Sequence, residues 1–321
     1  MTTKLCVVVP NWNGEDFLAD CLDSLLKQTI TCTIVVVENG STDSSDDILA
    51  KYGTKIVVLK QTKNLGFDGG VNVGINYALE RDAKYIALLN NDAIVPKDWL
   101  SNLAQVLDKH DDVGIVTSKI LHFDENKLDS TGDFYTIYGL PFPRGRNQID
   151  KGQYDKNLVI FGASGGASLY RAEMFRDIGI FDEDYFAYYE DIDISFRAQL
   201  AGWKVRYQPL ARVQHHINGT SGKISGFATY HSAKNFWFMY VRNVPGVLFW
   251  KYLPFASYWY CRMFAARLVK GGFGDFFKGW LAGLVLLPKK FGERRVIQKN
   301  RRVSVKYIDS IIVHSRPPKI K

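Results

Sequence analysis

Tyr85-Ile-Ala-Leu-Leu-Asn-Asn-Asp92 is an apolar run that stops abruptly at three polar side chains. Such a run reads as a strand buried on both faces, and in open α/β sheets ligands gather just beyond the carboxyl ends of the strands. Asp92 is therefore a candidate metal- or phosphate-site carboxylate. The competing reading is a plain turn, because Asn-Asn-Asp is ordinary turn chemistry and Pro96 follows shortly. The flanking sequence has to choose between them.

The same unit recurs on the N-terminal side. Residues 5–9 are apolar and β-branched, Pro-Asn-Trp-Asn-Gly breaks them, and residues 15–28 carry apolar side chains at helical spacing. A second strand over 34–37 ends at Glu38 and is followed by Asn-Gly-Ser-Thr-Asp and a short helix. A third over 56–59 leads to a glycine-rich loop at 64–70 and a helix over 71–80. Strands alternating with helices predict a parallel, doubly wound sheet. Its strands all point one way, so the loops at 11–14, 38–43, 64–70 and 90–92 share one edge and form a composite site. Glycines there let backbone N–H groups approach a phosphate, although tight turns alone account for any single loop.

Two common nucleotide chemistries are disfavoured. A dinucleotide-binding Gly-x-Gly-x-x-Gly should follow the first strand, where this chain has Pro-Asn-Trp-Asn-Gly, and no Gly-x-x-x-x-Gly-Lys-Ser/Thr loop occurs.

Further on, a helix is expected around 99–109 and a strand around 113–116, and residues 122–160 read as an inserted hairpin or loop region. The small residues of Phe-Gly-Ala-Ser-Gly-Gly-Ala at 161–167, Gly165 and Gly166 among them, suit close approach of a sugar or a bulged strand. Phe-Asp-Glu-Asp-Tyr-Phe-Ala-Tyr-Tyr-Glu-Asp-Ile-Asp at 181–193 opens a helix with Glu190, Asp191 and Asp193. Acids favour a helix N-terminus, which explains the charge but not the aromatic crowd around it. Aromatic neighbours desolvate a carboxylate and raise its pKa toward that of a useful base. A strand over 203–207 then leads to Gln-His-His at 214–216, where only one of His215 and His216 can face a given site.

Val-Val-Pro-Asn-Trp-Asn-Gly at 8–14, Glu-Asn-Gly-Ser-Thr-Asp at 38–43, Asn-Leu-Gly-Phe-Asp-Gly-Gly-Val-Asn-Val-Gly at 64–74, Leu-Leu-Asn-Asn-Asp at 88–92 and the acidic-aromatic run at 179–193 resemble the family-2 inverting glycosyltransferases of GT-A fold. The rhamnosyltransferase-like branch is the nearest in pattern. The resemblance implies an α/β GT-A catalytic domain over 1–233, with a nucleotide-sugar half to about residue 120 and an acceptor half beyond it, and a C-terminal helical, basic-aromatic region over 234–321. It implies that Glu38 reads the base or ribose of the donor, in a pocket with Pro10, Asn11, Asn13 and Asn39. Asn64, Gly66 and Gly70 sit where the family wraps the diphosphate, and Asn90, Asn91, Gly165, Gly166 and Glu190 complete the substrate contacts. Asp92 matches the last residue of the Asp-x-Asp motif and is expected to hold Mg²⁺ or Mn²⁺ with His215, and Asp191 matches the catalytic base. Two positions depart from the pattern: Asn90 stands where the motif's first carboxylate is common, and Glu38 stands where many relatives carry Asp.

The donor expected from this resemblance is a dTDP- or UDP-linked sugar, dTDP-rhamnose foremost, and the acceptor a saccharide or lipid-linked saccharide. Four cysteines without metal spacing fit a reducing compartment, and residues 5–9 are too short for a signal-peptide core, so the Asn218-Gly219-Thr220 sequon carries no weight. The charge is lopsided: residues 234–321 hold 18 Lys and Arg against 3 Asp and Glu within an overall +8. Aromatic helices with basic edges suit an anionic membrane interface, a helical packing subdomain or a homodimer contact. The one-sided charge favours the membrane, and no nucleic-acid motif is present. The expected placement is cytoplasmic, peripheral on the inner face of the cell membrane.

Overall fold

Strands β1 (Leu5–Asn11), β2 (Thr33–Glu38), β3 (Val57–Lys60) and β4 (Tyr85–Leu89) pair in parallel in the order β3-β2-β1-β4. The computed structural model describes residues 4–216 and 224–318, and the 218–220 sequon lies outside them. Every residue of β4 is buried, as a strand covered on both faces requires. Tyr85, Ala87 and Leu89 face the layer of α1 (Leu18–Leu25) and α4 (Trp99–Lys109), while Ile86 and Leu88 face α3 (Gly66–Glu80). Helix α2 (Ser45–Ala50) adds to the first layer through Leu49.

The glycine-rich run expected as a loop is instead the opening of α3. Gly66 has φ +77, which places the chain for the first helical turn, and Asn64 Oδ1 accepts the Gly66 N–H at 2.8 Å. The later glycines bring α3 down onto the sheet, since a Cβ on Gly74 would lie 2.3 Å from Val8 Cγ1.

The sheet continues through β10 (Ala167–Arg171), β6 (Val113–His122), β11 (Lys204–His215) and the short β5 (Ala93–Ile94). It is mostly parallel, yet β10 runs antiparallel to both β4 and β6, and β5 antiparallel to β11. A parallel neighbour needs a crossover that carries the chain back along the sheet. Before β10 the chain has only β7 (Leu128–Ser130), which folds back on β6, and the ribbon of β8 (Asp133–Tyr135) with β9 (Pro141–Pro143). The region expected as a loop therefore extends the sheet edge. Beyond β10, α5 (Ala172–Ile178) and α6 (Glu190–Ala201) pack on the α3 face, and α6 stops at Gly202 with φ +96.

The C-terminal helices are α7 (Phe227–Asn243), α8 (Gly246–Lys270), α9 (Phe273–Lys299) and α10 (Val305–Ile311). The expected division between residues 233 and 234 falls inside α7. Helix α7 lies tightly against α9, where a Cβ on Gly279 would come within 2.2 Å of Tyr230 O. The aromatic cluster of the C-terminal helices includes Phe236, Phe238 and Tyr260 and is continuous with Tyr185 and Phe196 of the α6 region, so these helices are built onto the α/β core. Among the described residues no helix is long and apolar enough to cross a membrane.

Candidate active site

The carboxyl-end loops of the parallel strands are stitched together by asparagines. Asn11 at the end of β1 donates its amide to Glu38 Oε2 at 2.6 Å and accepts at Oδ1 from Asn91 at 2.7 Å. The other Glu38 oxygen accepts the Ser41 N–H at 2.9 Å, and Asn13 Oδ1 accepts the Thr42 N–H at 2.8 Å. Asn39 clamps the start of α3, donating to Gly66 O at 2.9 Å and accepting the Leu65 N–H at 3.0 Å. Buried polar groups paired in this way hold a fixed geometry, because each lost bond leaves its partner unsatisfied.

Above this floor lies a cavity of about 610 Å³. Pro10, Asn11, Asn39, Asn64, Gly66, Asn90, Asn91, Asp92, Gly166, Glu190, Asp191 and His215 are on its wall. Asn13, Glu38, Gly70 and Gly165 are not. Glu38, expected to read base or ribose, is buried, with one oxygen bonded to the Asn11 amide and the other to the Ser41 N–H. Gly70 lies beneath the Asn39 amide, and Gly165 makes room for Asp191, whose Oδ1 is 2.3 Å from where a Cβ would stand.

One corner of the cavity is a carboxylate–imidazole pair. His215 Nε2 lies 3.0 Å from Asp92 Oδ1 and 3.4 Å from the Asn90 amide nitrogen. His216 points the other way and stacks on Phe123, with ring centroids 3.7 Å apart. Behind His215, its Nδ1 is 3.3 Å from Asp129 Oδ2, and Arg146 holds Asp129 from the far side at 2.5 Å. Burial lowers the His215 pKa, but the Asp129 and Asp92 carboxylates outweigh it and raise it to about 10. An acid, an imidazole and a second carboxylate that fixes the ring is a donor set suited to a divalent cation, which would take the place of the Nε2 proton.

The opposite wall carries buried carboxyls. Asp191 is raised well above the ordinary carboxylate range by burial and then by the Glu190 charge, opposed by the Gly165 N–H. Glu190 is pushed up to about 7, chiefly by burial. Asp68, in the first turn of α3, is likewise raised by burial and by Glu190 and Asp191. Asp191 Oδ1 has no hydrogen-bond partner among the described residues.

The backbone leading to these acids is strained, with φ of 65, 66 and 76 at Phe186, Tyr188 and Tyr189. Asn235 of α7 holds it: its buried amide donates to Tyr185 O at 3.0 Å and to Ala187 O and Tyr188 O at 2.8 Å each. The Phe67 N–H takes Phe186 O at 2.8 Å from the α3 side.

The sequence model of glycosyl transferase family 2 matches residues 6–179, more than half of the chain. The chain belongs to glycosyl transferase family 2. Among curated relatives it is 31% identical to the glycosyltransferase GlyG of Streptococcus pneumoniae serotype 4 over 139 residues, 42% of this chain and 44% of GlyG. It is 25% identical to the dTDP-rhamnosyl transferase RfbF of Shigella flexneri over 228 residues, 70% of this chain and 73% of RfbF. The alignment with GlyG thus spans less than half of that relative. The fold is similar to that of S. aureus TarS 1-349 in complex with UDP, at TM-score 0.56 and 18% identity over 92% of this chain and 90% of that one. It is also similar to mannosyltransferase PcManGT from Pyrobaculum calidifontis in complex with GDP-Man and Mn²⁺, at TM-score 0.55 and 15% identity over 96% and 86%. The GT-A fold expected from the sequence is thereby established.

In this family-2 chain a second acidic group, Asp182, Asp184 and Glu293, has carboxylate oxygens within reach of one ion. The buried Lys290 ammonium already sits among them, contacting Asp182, Asp184 at 2.7 Å and Glu293 at 3.1 Å. The group is thus an ion cluster gathered around the Lys290 ammonium.

Proposed function

We propose that this transferase is an inverting enzyme that moves a sugar from a nucleotide-diphosphate donor, dTDP-rhamnose foremost, to a saccharide or lipid-linked acceptor of a bacterial surface polysaccharide. The observation that carries the reading is that the Asp92–His215 corner and the buried Asp191 line one cavity. Asp92 and His215, with the Asn90 amide beside them and Asp129 fixing the imidazole, are the residues that would hold Mg²⁺ or Mn²⁺. Such a cation stabilises the negative charge that builds up on a departing diphosphate.

The remaining work falls to the chain's own groups. Asn39, Asn64 and Gly66 line the donor side, and the missing Gly66 side chain leaves room for Phe186, whose backbone oxygen stands 2.4 Å from where a Cβ would be. Asp191 accepts the acceptor hydroxyl proton as that oxygen bonds to the anomeric carbon, while the carbon–oxygen bond to the diphosphate breaks on the opposite face and the leaving group keeps the electron pair. One displacement inverts the configuration. The aromatic loop around Phe186 and Tyr188 excludes water and keeps the base basic. The basic C-terminal region supports a peripheral position on the cytoplasmic membrane face.

Purified protein supplied with dTDP-rhamnose, UDP-glucose, UDP-N-acetylglucosamine and GDP-mannose is expected to release nucleoside diphosphate from one donor class, with the dTDP-sugar favoured, as measured by coupled nucleotide detection. Preference for a UDP-sugar would reassign the donor. Failure to bind or turn over any of the four would remove the transferase reading and leave a scaffold role.

A further inference from the structure

We infer that the hairpin made by the end of α8 and the start of α9 is a membrane-interface element, lying on an anionic bilayer and holding the acceptor side of the cavity against it. The buried residues of α8 are Leu248, Tyr252, Ala256 and Tyr260, so the helix leaves the core at Tyr260. Beyond it the hairpin is almost wholly exposed. Helix α9 has two unlike faces: Phe276, Gly279 and Gly283 are buried, with the two glycines close against the α7 backbone, whereas Phe273, Phe277, Leu281 and Leu284 form an exposed apolar stripe at helical spacing. On α8 the stripe continues through Phe264, whose ring is 5.6 Å from that of Phe273, and through Leu268 and Val269, the last 86% exposed. Contiguous apolar surface of this kind marks an interaction site.

Charge selects the occupant. Arg262, Arg267, Lys270 and Lys278 flank the stripe, and among the described residues none has a carboxylate within ion-pair distance. The cations nearer the core differ: Arg242, Lys289 and Lys290 are all paired. Asp275 is the one acid between 261 and 292, and its carboxylate is turned onto Gly226. A second copy meeting this face symmetrically would set the same cations against each other, whereas anionic lipid headgroups neutralise them. No described helix is apolar enough to span, so the hairpin lies in the interface plane.

The hairpin also adjoins the cavity. Phe227, which opens α7 and lies on the cavity wall, follows Gly226, where a Cβ would stand 2.2 Å from Asp275 Oδ2. The Phe227 ring is 6.0 Å from Tyr188 and 6.2 Å from Phe186, on the side of the proposed base. An acceptor anchored in the bilayer therefore reaches the cavity past the hairpin, which points to an amphiphilic, lipid-linked acceptor. This second step rests on the transferase reading above; the membrane surface does not.

Co-sedimentation with vesicles of phosphatidylcholine, with and without phosphatidylglycerol, tests the surface without any donor. Wild-type protein is expected to pellet with the anionic vesicles and to be partly released by salt. The double variant Leu268→Glu, Val269→Glu is expected to lower the partition coefficient at least about tenfold, with unfolding temperature and UDP binding unchanged. Wild type left in the supernatant, or a variant that pellets equally well, would overturn the proposal. So would a wild-type dimer in light scattering that the same variant splits into monomers. For the acceptor step, a saccharide on a long-chain lipid is expected to exceed the same saccharide on a short soluble aglycone at least about tenfold in kcat/KM, and the variant to lose that preference. Equal rates on both acceptors would overturn that step alone.

Discussion

Asp191→Asn is expected to lower kcat by on the order of a thousandfold while leaving donor binding nearly unchanged. The asparagine keeps the shape and the approach of the Gly165 N–H but cannot take a proton. Asp191 lines the cavity and its Oδ1 has no hydrogen-bond partner among the described residues, which leaves its accepting capacity unused inside the chain. Its pKa is raised by burial and by Glu190, which makes it a stronger base than an ordinary carboxylate once ionised. Only the ionised form accepts the proton, so kcat/KM should rise with pH through a limb lying above the usual carboxylate range. Glu190→Gln removes a neighbouring negative charge and should move that limb to lower pH. Steady-state kinetics across pH, with isothermal titration for donor affinity, check both statements; near wild-type turnover in Asp191→Asn would remove it as the base. The same groups carry a stability signature. Glu190, raised to about 7, binds more protons folded than unfolded, so its contribution weakens as pH rises from the unfolded carboxylate range toward 7.

Arg242→Met is expected to destabilise the protein by about 3–5 kcal/mol in urea or thermal unfolding. Arg242 Nη1 lies 2.8 Å from Asp193 Oδ2 and 2.9 Å from Asp182 Oδ2. Asp193 is buried and also receives Arg197 at 2.8 Å, Asn243 at 2.7 Å and the Tyr185 hydroxyl at 3.1 Å. Burial alone would raise its pKa, yet Arg242 and Arg197 bring it down to about 2. Removing one arginine leaves a buried anion short of its partner. A depressed carboxylate stabilises above its unfolded pKa and loses that contribution as pH falls through its folded value. The gap between wild type and variant should therefore be full above about pH 4 and shrink toward pH 2. Asp193→Asn added to Arg242→Met should recover part of the loss, and a simple sum of the two costs would show the pair to be uncoupled.

This network ties the C-terminal helices to residues 182–193. Arg242 and Asn243 of α7 reach Asp193 in the first turn of α6, Asn235 reaches the loop before that helix, and Lys290 of α9 neutralises Asp182 and Asp184 in the same loop. In the sequence those residues read only as polar punctuation in an aromatic, basic stretch. A basic side chain on a helix looks the same whether it meets solvent or a buried acid far along the chain.

What was legible followed local pattern. The β4 run, the alternation of strand and helix, the acids opening α6 and the opposite directions of His215 and His216 all depend on neighbours within a few residues. The glycine-rich run at 64–70 misled because glycine serves loops and close helix packing alike, and only its surroundings, such as Gly70 beneath the Asn39 amide and near Pro10, distinguish them. Asp129 and Arg146 were invisible for another reason: they come from the segment read as an insertion, and their meaning arises only when β7 folds back on β6 beside His215. Glu38 was legible as a carboxylate at a strand end, but its bonds to Asn11 and Ser41 were not, since they cross between strand ends.

In the proposed reading the four-loop cavity clamps a nucleotide diphosphate through a cation held at Asp92 and His215. Isothermal titration of dTDP and UDP into wild type and Asp92→Ala, with Mn²⁺ and again with EDTA, measures that clamp. EDTA is expected to weaken wild-type binding at least about tenfold, and Asp92→Ala to show the weak affinity with or without Mn²⁺. Equal affinity in all four conditions would contradict it.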